Sequence, residues 1–147
     1  MLHTLTSQIG LIVLVLVCLL VLIKGETPER VAALLVAVSW VGLLVWQALS
    51  RQKVPEVALL ISDFVVAIGF LALAVRYASA WLGAGMLFQG AAFASHLIHM
   101  TDTGDHLRLY VLTVNLLSSA VLLTITGAAL VSWRSRVRAR RAAAKPG

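Results

Sequence analysis

Few residues in this chain are able to do chemistry, and they stand in apolar surroundings. Asp63, Gln89, His96, Asn115 and Gln47 each interrupt a run of aliphatic side chains. An aspartate beside a histidine can pass a proton, orient a metal-ligating imidazole or hold a polar ligand. The same pair can also do no more than hydrogen-bond and keep helices in register. Such bonds between membrane helices are worth about 0.6 kcal/mol on average.

A second group, His99, Asp102, Asp105 and His106, offers imidazole and carboxylate ligands of the kind that bind divalent transition ions. Its spacing fits no zinc or calcium motif, and Gly104 breaks the helix that would align the group. A solvated capping loop is the preferred reading, with a metal at His99, Asp102 and His106 as the alternative. Haem is disfavoured, because His96 and His99 share one helix and no other histidine lies in a facing span. No cofactor is expected.

The third feature is the run Arg134, Arg136, Arg138, Arg140 and Arg141 after Trp133. Tryptophan suits a membrane interface, and arginines just beyond it meet anionic headgroups. This reads as a topology anchor that contacts lipid or a cytoplasmic partner. Nucleic acid is not expected, since the tail has no aromatic residue on which a base could stack.

Helices must hold these groups. The chain has 147 residues, is 61% hydrophobic and only 12% charged. A soluble domain carries about 25% charge, so lipid is the natural solvent here. A spanning helix needs about 20 mostly apolar residues. Five stretches qualify: 5–23, 31–49, 57–75, 81–100 and 109–133. The third and fourth are separated by a single charge, Arg76. Read as one helix they would run about 66 Å, against a hydrocarbon core of about 30 Å, so two spans and a tight turn fit better. The fold expected is an all-α bundle of five transmembrane helices with residues 134–147 as a basic cytoplasmic tail.

Helix starts are marked by Thr27-Pro28-Glu29, read as a cap, a proline at the first helical position and an acid in the first turn. Val54-Pro55-Glu56 repeats the last two features. The first stretch is expected to remain as a helix rather than be cleaved, as no Lys or Arg precedes it and no small-residue cleavage site follows. The single cysteine, Cys18, allows no internal disulfide. The net charge of +6 is concentrated, with six of the twelve Lys and Arg after Val131. With the C-terminus inside, nine basic residues fall on the cytoplasmic side and three outside, which orients the N-terminus out.

Spacing then places the polar residues. Gly85, Gln89, Ala92, His96 and His99 follow steps of four, three, four and three, giving one small and polar seam on the fourth helix. Asn115, Ser119, Leu122 and Thr126 form a looser seam on the fifth, expected to face the interior. A turn near Ala78 sets Asp63 level with Ala94, within a turn of His96. Asn115 and Gln47 fall near the same level, so one polar layer in the outer half of the bundle is expected.

The run from Asp63 through Arg76, Trp81, Gln89 and His96 resembles small uncharacterised multi-pass proteins of the bacterial inner membrane. The resemblance implies that location and implies no activity. Lacking a catalytic set, the chain is not read as an enzyme. It reads first as a structural or accessory subunit of a larger membrane complex, touching lipid and other membrane proteins or itself. The alternative is binding or proton-coupled transport of a small molecule or ion at the Asp63–His96 layer.

Overall fold

Proline and glutamate set where the helices begin. In the computed structural model the chain forms α1 (Leu5–Lys24), α2 (Thr27–Ser50), α3 (Glu56–Tyr77), α4 (Ala80–Thr101) and α5 (Leu107–Ala143). The structure describes residues 5–50, 54–101 and 107–143, the side chains of 5–9 and 50 excepted. All five elements are α-helical, as the apolar stretches require, because a helix satisfies its own backbone groups without water.

At the start of α2 the Arg30 N–H donates to the Glu26 carbonyl at 2.9 Å, so Glu26 holds the capping position. The Glu29 carboxylate reaches back to accept the Glu26 N–H at 2.7 Å, the acidic half of a capping box. Thr27, expected as the cap, is instead the first helical residue. Glu29 serves the N–H of the capping residue, a different donor from the second or third helical N–H that a threonine cap would have bonded. The α1–α2 connection is tight enough to need glycine: a Cβ on Gly25 would lie 2.5 Å from the Val21 carbonyl oxygen.

The α3–α4 turn falls where the sequence places it. α3 ends at Ala78, held in the left-handed region at φ 46°, ψ 43°. A Cβ there costs about 1–2 kcal/mol, and glycine is the usual occupant. Ala78→Gly is therefore expected to raise stability by about 1 kcal/mol, measured as a higher unfolding midpoint in detergent.

α4 lies between α3 and α5, and these three make the most extensive packing. The α1–α2 hairpin seats against them, α2 on α3 and α1 on α5. Lys24, Tyr77 and the end of α5 share one end, here the basic end. The apolar core fills the half of the bundle nearest that end, with Val21, Phe70, Leu82 and Ile125 as its largest fully buried side chains. Gly85 allows α4 to approach α3 closely, as its Cβ would stand 2.8 Å from the Phe70 ring.

The outward faces are apolar: Leu16, Val38, Leu87, Leu116 and Leu123 are all more than half exposed. Water would not tolerate so continuous an apolar surface. Three helices, Thr27–Leu49, Glu56–Tyr77 and Leu107–Ala143, are long and apolar enough to cross a bilayer, and Gly10–Lys24 is a shorter apolar helix. α5 does not stop at Trp133. It continues through the arginine run for 37 residues in all, about 55 Å.

Candidate functional site

The half of the bundle away from the basic end is built differently. Gly85, Gln89, Ala92 and His96 are buried on one face of α4, together with Leu82. Seven residues, two turns, separate Gln89 from His96, so both point at α3. There they meet Asp63. Gln89 Nε2 donates to Asp63 Oδ1 at 2.6 Å, and His96 Nε2 stands 3.0 Å from Asp63 Oδ2. From α5, the Tyr110 hydroxyl lies 2.5 Å from His96 Nδ1. His99 stacks on the other side of Tyr110, ring centroids 3.9 Å apart.

These contacts set the proton positions. Asp63 accepts, so a neutral His96 carries its proton on Nε2 and accepts at Nδ1 from the Tyr110 O–H. The match is incomplete at one atom. Asp63 Oδ2 is buried and has no aligned hydrogen bond, although His96 is within ion-pair distance. The ring N–H points off the line between them. A buried carboxylate oxygen left in this way is costly and invites a donor.

That donor has room. A cavity of about 390 Å³ opens between α1–α2 and the other three helices, lined by Asp63, His96, Tyr110, Ser62, Trp40 and Asn115 among others. Its size is that of a small-ligand pocket. Ser39 and Ser62 share a hydrogen bond of 3.0 Å on its wall.

Gln47 lines the cavity without joining the Asp63–His96 network, and so does Asn115. The α5 seam turns inward only in part, through Asn115 at the cavity and Leu122 at the core. Asn115 and Ser119 are exposed, and Ser119 and Thr126 donate to carbonyls four residues back at 2.8 and 2.7 Å. Hydroxyls satisfied by their own helix do not need an interior partner. Leu122 alone of the seam packs on the core. Of the weaker metal group, Asp102, Asp105 and His106 lie outside the described residues, and His99 is engaged with Tyr110. Among the described residues no three His, Cys, Asp or Glu side chains gather to hold a metal.

Tyr110 is the member that sequence reasoning missed. Three residues into α5, it reads as an interface aromatic. The hairpin count that set Asp63 beside His96 would have found it, because a turn near Gly104 levels Tyr110 with Ile98.

No family model, curated protein or solved structure matches the chain. The all-α fold and its candidate spans therefore stand on the residues themselves, and they are those of a small multi-pass membrane protein.

The basic end carries a second, wider cleft of about 1030 Å³, lined by Glu26, Arg30, Tyr77, Trp81, Ser132 and Arg136 among others. Its polar groups largely satisfy one another. Ser132 donates to Glu29 Oε1 at 2.8 Å, Arg30 to the Gly25 carbonyl at 3.0 Å, and Arg136 to the Lys24 carbonyl. Lys24 lies over the Trp133 ring, 4.9 Å from its centroid. Arg136 is thus tied into the bundle, while Arg134, Arg138, Arg140 and Arg141 are exposed.

Proposed function

We propose that this is a five-span protein of the bacterial inner membrane, N-terminus out and C-terminus in, that binds and carries a small molecule or ion at Asp63 and His96. The observation behind this reading is the convergence of a carboxylate, an imidazole, a carboxamide and a phenol on a cavity inside an otherwise apolar bundle. Ionisable groups within a membrane are expensive and tend to mark substrate or proton pathways. A purely structural pair needs no cavity beside it. α4 packs between two candidate spans, so it crosses if they do. The site then lies in the outer half, and the arginines on α5 mark the cytoplasmic side. The four groups are joined by hydrogen bonds and a close polar contact, which suits binding rather than covalent catalysis.

The test is reaction with dicyclohexylcarbodiimide, an apolar reagent that modifies carboxyl groups within membranes. Peptide mass spectrometry of treated membranes should find the adduct on Asp63 and lose it in Asp63→Asn. An unreactive Asp63, in protein whose Glu56 is modified by a water-soluble carbodiimide, would leave the pair as structural glue and sink the reading.

The accessory-subunit reading has one observation of its own. The outward face of α4 carries Gly83 and Gly90, and a Cβ at either would meet open space. Small residues let a helix of another chain approach closely. Mass spectrometry of what co-purifies in mild detergent separates the two readings: a stoichiometric partner supports the subunit, and the protein alone removes it.

A further inference from the structure

The cavity's lining is one-sided in charge. Among the described residues around it, Asp63 is the single acid and no Lys or Arg contributes. Across the network, α4 faces Asp63 with His96 and Gln89, and α5 with Tyr110. α1 and α2 bring no ionisable side chain to the lining, only groups such as Ser39, Gln47 and Trp40. Further along α3 and α4, Glu56 lies seven residues before Asp63 and His99 stacks on Tyr110. An ionised Asp63 meets no Lys or Arg across the cavity, and His96 opposes its charge only when protonated. In a low-dielectric site that charge attracts a cation strongly.

The remaining walls decide which cation. Val36, Leu43, Leu44 and Val66 give an apolar body. Trp40 lines the space, an indole being the aromatic best suited to a positive charge, and the space is far larger than a bare ion fills. Asp63 Oδ2 lacks an aligned donor, which an ammonium N–H would supply. We infer that the ligand of this site is a protonated organic amine with a compact apolar or aromatic body, held at Asp63. This rests on the intramembrane-site reading above and narrows it. The balance is simple: the amine enters with its proton and its charge, and its N–H donates to Asp63 Oδ2. No covalent bond changes.

The probes are N,N-dimethylbenzylamine, which is protonated near neutral pH, benzyl alcohol as its uncharged counterpart and benzoate as the anion. Binding is read in lipid nanodiscs as the tryptophan fluorescence change that Trp40→Phe abolishes. The amine should bind about tenfold or more tightly than the alcohol or benzoate. Asp63→Asn should lose that preference and Asp63→Glu should keep it. Equal binding of alcohol and amine, indifferent to Asp63→Asn, would overturn the inference. So would an amine that fails to bind at all. Either failure leaves the site reading intact if the carbodiimide still labels Asp63, whereas an unlabelled Asp63 removes the site itself.

Discussion

Phe70→Ala is expected to remove about 2–3 kcal/mol of stability. In water-soluble cores the same change costs about 3–5 kcal/mol, as a transfer term plus a cavity term. Between membrane helices the transfer term shrinks, because lipid is as apolar as the core. The cavity term stays, since Phe70 is fully buried and its ring fills the groove opened by Gly85, with contacts as close as 2.8 Å to a Cβ built there. Gly85→Ala should therefore also destabilise, and much less so in a Phe70→Leu background, where the space is freed. That non-additivity is the signature of a shared contact. Unfolding titrations of the parent and the four variants in mixed micelles measure it. A loss below about 0.5 kcal/mol for Phe70→Ala, or strict additivity, would show that α3 and α4 are held by something else.

Glu29→Ala should cost a similar amount, about 2–3 kcal/mol, for a different reason. Glu29 is only 3% exposed. One oxygen caps α2 through the Glu26 N–H and the other accepts from Ser132 on α5. Bonds to a charged acceptor are stronger than neutral ones, and the positive end of the α2 dipole favours the carboxylate. Ser132→Ala should cost about 1 kcal/mol, and the double variant should be no worse than Glu29→Ala by more than a few tenths. Thermal melts of the three variants give the cycle. If Glu29→Ala melts as the parent does, the carboxylate holds neither helix end.

How far the sequence could be read depends on how local each signal is. Helix number and the turn at Ala78 follow from apolar run length against membrane thickness, which any single stretch reveals. The α4 seam is legible because one helix carries all its members at regular steps. Asp63 and His96 could be levelled by counting from one short turn. Glu29 could not be interpreted the same way. Its acceptor role at the start of α2 is visible locally, but its burial depends on a serine 103 residues away, with no spacing rule to link them. The α5 seam misleads because serine and threonine have a second way to be satisfied, on their own helix. The cavity itself is a gap between the α1–α2 hairpin and the other helices, and a void leaves no residue pattern.

The Glu29–Ser132 bond also bears on biogenesis. At about 5–20 residues per second, a ribosome needs roughly 5–20 s to reach Ser132 after making Glu29. During that time the α1–α2 hairpin stands without the α5 side chains that Glu29 and its neighbours pack against. Nascent chains stalled or cut before Ser132 would keep that half-built surface indefinitely, the kind of feature by which membrane proteases and insertion chaperones sort unfinished protein.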